Sequence, residues 1–258
     1  MFLPDNVPII CNLPKDIPHA DIFFLNDLHF GSELFNEQKW KALKKIIQES
    51  DCAYVCWIGD IMENAIPNSK SDMFTQKYSP AQQKEWAAQE LFDLRGKTIA
   101  VVAGNHENNR TTKMSGLYPL YDACMLAGVD KKYRDTIAYI DVGVGRSRDK
   151  NKQVHYFGQI QHVSRENVNC GYSDYTDGID FFAFGHDHKP IDRPRAKMVF
   201  DHHNKVVYKR NIENINCGSF CKFGGYGAKG AYRPQSDKMY KLRIFGGEKK
   251  METTGFYV

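Results

Sequence analysis

Histidine, aspartate, asparagine and glycine gather at five places in the chain. These are Asn26-Asp27-Leu28-His29, Gly59-Asp60, Gly104-Asn105-His106-Glu107, Gln161-His162 and Gly185-His186-Asp187-His188. Five of the nine histidines fall there. Imidazole nitrogens, carboxylates and one amide oxygen make a mixed N/O donor set, which suits Mn²⁺ best and also Fe or Zn²⁺, rather than Mg²⁺ or Ca²⁺. No thiolate belongs to the set, which argues against a structural zinc cage. The seven candidate ligands are Asp27, His29, Asp60, Asn105, His162, His186 and His188, more than one ion needs once room is left for a substrate. Two divalent ions sharing a carboxylate is the economical arrangement. Paired ions about 3.5–4 Å apart suit in-line displacement at phosphorus.

Each residue alone has a plainer explanation. An Asp after a strand is commonly a turn former or helix cap, and a single His such as His162 is commonly a hydrogen-bonded structural residue. The argument rests on the conjunction, because all five clusters sit where apolar runs end. Short runs rich in branched and aromatic residues occupy 20–26, 53–58 and 98–103, and helix-like segments at 34–49 and 80–95 lie between them. In the first of these segments Trp40, Leu43, Ile46 and Ile47 recur at helical spacing, and in the second Pro80 suits a first helical turn. A third helix is expected over 115–127. Beyond about residue 135, runs at 136–142, 153–160, 179–184, 196–200, 205–209, 213–217 and 239–245 read as strands with short connections. Continuous apolar runs joined by helices imply strands covered on both faces. Ligands of open α/β sheets bind beyond the carboxyl ends of the strands, so the five clusters are expected to converge.

The bulk numbers exclude little. A chain of 258 residues with 42% hydrophobic and 26% charged residues is ordinary for a globular protein, and a net charge of +4 permits an anionic partner without requiring one. No window reaches the roughly 18 apolar residues of a membrane span, and the N-terminus lacks the pattern of a secretory leader. The seven cysteines lie mostly among apolar neighbours, as packed reduced thiols do. A cytoplasmic protein is the expectation. The CxxxC pairs Cys52/Cys56 and Cys217/Cys221 raise a zinc site as an alternative, but one pair lies on an expected strand, where residues four apart share a face anyway.

The ordered set DLH, GD, GNHE, H and GHDH, from Asp27 to His188, resembles the calcineurin-like metallophosphoesterase superfamily. INCGSF at 215–220 resembles the strand that follows the last motif in many members. The resemblance implies an α/β fold, a four-layer α-β-β-α sandwich of two mixed sheets flanked by helices. It implies one domain over 1–258, with a core near 20–220 and a basic, aromatic segment at 221–258. Carried over position by position, it puts Asp27, His29 and His188 on one metal and Asn105, His162 and His186 on the other, with Asp60 bridging. His106 would stand just outside the metals and protonate the leaving oxygen. The bridged pair would lower the pKa of a shared water, whose hydroxide attacks phosphorus. Asp187 is expected to stand behind the ligands or face solvent, and Glu107 to orient His106 or cap the helix after it.

The resemblance implies a phosphate-ester substrate. GDIMEN at 59–64 lacks the arginine of the GDxVDRG motif in Ser/Thr protein phosphatases, and His106 stands where hydrolases of UDP-linked lipid precursors carry arginine. Lys222, Lys229, Arg233, Lys238, Lys241 and Arg243 interleave with Phe223, Tyr226, Tyr232, Tyr240 and Phe245, a pattern that suits single-stranded nucleic acid and also suits a solvated sheet edge. The expected activity is therefore a phosphodiesterase on a nucleotide or nucleic acid. A phosphomonoesterase is the alternative, and a non-catalytic scaffold is disfavoured because every motif position is filled. Asp201-His202-His203-Asn204 reads as a hairpin turn, and 61–79 and 190–214 as segments that shape the substrate site.

Overall fold

The sheets are built from the apolar runs. A computed structural model of the chain describes residues 2–67, 69, 71–148, 151–163, 176–225, 228 and 233–258. In chain order the strands are β1 (Ile9–Asn12), β2 (His19–Leu25), β3 (Ala53–Ile58), β4 (Thr98–Val102), β5 (Tyr133–Arg134), β6 (Ile137–Val144), β7 (Val154–His162), β8 (Phe181–Gly185), β9 (Pro190–Asp192), β10 (Arg195–Asp201), β11 (Val206–Cys217), β12 (Met239–Phe245) and β13 (Met251–Phe256). The helices are α1 (Glu37–Glu49), α2 (Pro80–Asp93), α3 (Lys113–Ser115) and α4 (Pro119–Ala127), with a π-helix at His106–Thr112. One sheet runs β13-β12-β2-β3-β4-β5; the other runs β1-β6-β7-β8-β11-β10, with β9 also on β11. Both are mixed: β2, β3, β4 and β5 are parallel while β12 is antiparallel to β2, and β7, β8 and β11 are parallel while β6 is antiparallel to β7.

The two mixed sheets with helices are the expected fold class. Strands β3, β4 and β8 are buried at every position, as their unbroken apolar runs require. Trp40 of α1 packs on Trp57 of β3 at 5.7 Å between ring centroids, which seats that helix on the outside of the six-stranded sheet. Asn36 caps α1 through its side chain, and Ser79 with Gln82 forms a capping box at α2. Among the described residues no helix is long and apolar enough to cross a membrane.

Two of the expected elements differ from the sequence reading, and so does the direction of one hairpin. The expected helix over 115–127 begins at Pro119, because Gly116 takes a left-handed conformation and ends the turn before it. The runs 205–209 and 213–217 are one strand, β11. Its second half pairs in parallel with β8 from Glu213↔Phe181 to Asn216↔Phe184, so its first half lies beyond the N-terminal end of β8. The β10–β11 hairpin therefore projects away from the carboxyl ends of the strands. Its tip does not shape a site there, contrary to the expectation for 190–214. Tyr226, Lys229 and Tyr232 of the basic, aromatic segment lie outside the described residues.

Candidate metal centre

All five clusters meet at the carboxyl ends of β2, β3, β4, β7 and β8. Glycines permit the approach. A Cβ on Gly104 would stand 2.2 Å from Asp60 N, and one on Gly185 would meet Asn26, His162 and the Ile58 carbonyl at 2.8–2.9 Å. The loops after β2 and β3 are zipped by backbone hydrogen bonds, His29 N–H to Asp60 O at 2.9 Å and Phe30 N–H to Ile61 O at 2.9 Å. Asp27, His29, Asp60, His186 and His188 all have positive φ, between 48° and 89°. Such a conformation is costly for residues other than glycine, and it turns side chains inward that a relaxed loop would direct elsewhere.

The side chains form three groups whose ligand atoms converge: Asp27, His29 and His188; Asp60, His162 and His186; and His29, Asp60 and His106. The first two coincide with the ligand sets that the resemblance implies, and Asn105 joins the second through Oδ1, 3.2 Å from His162 Nε2. Asp60 Oδ2 lies 3.1 Å from His162 Nε2, 3.6 Å from His106 Nε2 and 3.9 Å from His29 Nε2, at the junction of all three groups. His106 is buried and directs Nε2 into the cluster while Nδ1 lies 2.8 Å from the Glu63 carbonyl.

The donors fit divalent cations. Asp27 Oδ2 accepts the Asn26 amide and the His186 N–H, while Oδ1, fully buried, meets only imidazole nitrogens, His188 Nε2 at 3.4 Å and His29 and His162 Nε2 at 3.9 Å. A buried carboxylate oxygen facing three ring nitrogens needs protons or a cation between them. His29 Nε2 and His188 Nε2 face each other at 3.1 Å beside that oxygen. Burial opposes ionisation of Asp27 and Asp60, yet the imidazoles around them hold both below the ordinary carboxylate range. Burial likewise opposes charge on His29 and His162. The Glu63 hydrogen bond raises His29 to about 9, and the Asp60 charge raises His162 to about 10. In the metal-free cluster, protons on these two rings balance the carboxylates, and cations would replace them.

The supporting contacts were not visible in the sequence. Glu63 Oε2 accepts from His29 Nδ1 at 3.0 Å, the carboxylate–histidine pairing that fixes which nitrogen faces a metal. Asn26 Nδ2 holds Asp27 Oδ2 at 2.6 Å. Arg110 lies 3.5 Å from Glu63 Oε1 and 3.0 Å from His106 Nδ1. Glu107 neither orients His106 nor caps a helix; its carboxylate binds the backbone of the Asp60 loop. Among the described residues no candidate metal group contains a cysteine, and Cys56 and Cys217 are buried with their thiols pushed up by desolvation. Lys241 and Arg243 of β12 pair with Asp21, far along β2 from the cluster. Asp21 thus offsets part of their charge within the sheet.

The model of the calcineurin-like phosphoesterase family matches residues 20–190. No curated protein matches the chain. Among solved structures, the calcineurin-like phosphoesterase YfkN from Bacillus subtilis is similar over 92% of this chain and 90% of its own, at 10% identity and a TM-score of 0.44. Chaetomium thermophilum Vps29 is similar over 92% of this chain and 98% of its own, at 12% identity and a TM-score of 0.39.

Proposed function

Since the chain belongs to the calcineurin-like phosphoesterase family, we propose that it hydrolyses phosphodiester bonds of a nucleotide or nucleic acid with two divalent ions, Mn²⁺ foremost. The observation that carries this reading is Asp60 Oδ2, which three imidazole nitrogens approach within 3.9 Å. Asp27, His29 and His188 would hold one ion, and Asn105, His162 and His186 the other, with Asp60 shared. When bound, such a pair supplies Lewis acidity and an activated water.

The protein's own part is positioning. Glu63 and the Ile58 carbonyl fix the tautomers of His29 and His162, leaving each Nε2 free to bind. His106 Nε2 would meet the ester and hand a proton to the departing oxygen. Burial holds this ring neutral in the free protein, at about 4, and an anionic phosphate against Nε2 favours its charged form. Arg110 is already paired with Glu63, so its charge is not free for the second negative charge of a monoester. That pairing supports the diester.

The test is hydrolysis of bis-p-nitrophenyl phosphate and p-nitrophenyl phosphate after chelation and after Mn²⁺ is returned. The diester should be cleaved faster and only with metal. Full activity in excess chelator would remove the two-metal reading, and faster monoester cleavage would reverse the substrate class.

A further inference from the structure

The end of β11 is built against the ligands of one ion. Gly218, with φ at +79°, turns the chain after Cys217, and the Asn216 side-chain oxygen accepts its N–H at 2.9 Å. The Gly218 carbonyl accepts from the Asn26 amide nitrogen, which also donates to Asp27 Oδ2 at 2.6 Å. Beyond the turn, Ser219 Oγ and the Phe220 N–H both donate to the Asp27 carbonyl at 3.1 Å. Asp27 is therefore gripped at its carboxylate and at its backbone. The same strand pairs Cys217 with Pro190 and Asn216 with Ile191, which fixes the chain directly after His188. Buried Lys39 of α1 ties the segment down by donating to the Ser219 carbonyl at 3.0 Å.

The other ligands have separate supports. Asp60 Oδ1 accepts the His106 N–H, the Glu107 carboxylate takes N–H groups of the Asp60 loop, and His162 Nδ1 lies 2.7 Å from the Ile58 carbonyl. None of these contacts involves the end of β11. Asn26 is also a poor choice for stability alone. It is completely buried, and neither its Oδ1 nor Asn216 Nδ2 has a hydrogen-bond partner among the described residues. Buried amide atoms left unmet are destabilising. The amide stands there with one end unmet while its nitrogen fixes the direction of Asp27.

Resting on the two-ion reading above, we infer that Asn26, held by the Gly218 carbonyl, is a positioning residue for the ion that Asp27, His29 and His188 would share, so that cutting this brace weakens that ion and spares its neighbour.

Stripped of metal, the full chain should take up two Mn²⁺ ions in a calorimetric titration, with the free ion counted independently by electron paramagnetic resonance. Removing a residue that orients a metal ligand typically costs about 10- to 100-fold in affinity. Asn26→Ala keeps the Cβ against which Gly185 packs, and the His186 N–H still reaches Asp27 Oδ2. It should weaken one ion by about that factor and leave the other near its parent affinity. Ser219→Ala, which takes one donor from the Asp27 carbonyl, should weaken the same ion by less. His188→Ala removes a ligand of that ion alone, so the ion it retains should be indifferent to Asn26→Ala. Fewer than two ions on the parent chain would remove the two-ion reading and this inference with it. Two ions on the parent, weakened equally or not at all by Asn26→Ala, overturn the inference alone. So does a His188→Ala chain whose remaining ion is weakened by Asn26→Ala. If Asn26→Ala does not fold, Ser219→Ala must weaken one ion more than the other, and equal effects overturn the inference.

Discussion

Glu107 and Asp60 hold each other by carboxylate and backbone. Glu107 Oε2 accepts the Asp60 N–H at 3.0 Å, while Asp60 Oδ1 accepts the N–H of His106, the residue before Glu107, at 2.9 Å. The Glu107 carboxylate also takes the N–H groups of Ile61, Met62 and Gly104 at 2.8–3.0 Å. The loops after β3 and β4 are thereby locked in one register. The Asp60 carboxylate is thereby held where His29, His106 and His162 approach it.

The lock has a measurable consequence. Glu107→Ala leaves four buried N–H groups without an acceptor, and each costs on the order of 1–3 kcal/mol. Urea unfolding of the metal-free chain should show a loss of about 3 kcal/mol or more. A loss under about 1 kcal/mol would mean that water replaces the carboxylate and that the loop is held elsewhere.

Asp60 itself should be the least replaceable ligand. Asp60→Asn keeps the shape and the bond to the His106 N–H but lowers the charge at the point where the three groups meet. Metal analysis should show both ions lost or weakened together, with turnover abolished. Two tightly retained ions would remove Asp60 from the shared position.

How much of this was legible beforehand depends on the kind of contact. The convergence of the candidate ligands is legible because each follows an apolar run directly, and parallel strands deliver their ends to one place. Glu63 stands three residues after Asp60, yet nothing local distinguishes it; its partner His29 is 34 positions away. Glu107 was visible, but its role was not, since backbone N–H groups leave no trace in a sequence. The direction of the hairpin was equally hidden. It depends on the register of β11 against β8, and 213–217 looks like a strand of its own when read from residue types. Lys241 and Arg243 read as a basic track because their partner, Asp21, lies 220 residues earlier.

That pairing predicts how acid acts on the fold. Burial tends to raise the Asp21 carboxyl, but hydrogen bonds from Arg243 and Lys241 hold it below its ordinary value. A carboxylate depressed in the folded state gives stability that is present above its unfolded pKa, about 4, and lost as pH falls through the lower folded value. Asp21→Asn should therefore lower stability near neutral pH and flatten its decline in acid. An unchanged acid limb, followed by denaturant unfolding at several pH values, would place the acid sensitivity in other carboxylates.

His106 decides between acid and ligand. It follows Asn105 and shares a candidate group with His29 and Asp60, so its Nε2 is within reach of either role. If it protonates the leaving oxygen, it matters most when that oxygen is a poor leaving group, and removing a general acid costs about 10²- to 10⁴-fold. His106→Ala should then keep both ions and cleave an alkyl phosphodiester at least about a hundredfold more slowly. A nitrophenyl diester, whose phenolate departs without help, should suffer much less. Equal losses on the two esters with both ions retained would make His106 a phosphate-positioning group. Loss of an ion would make it a ligand, and the group of His29, Asp60 and His106 would then be part of the metal centre itself.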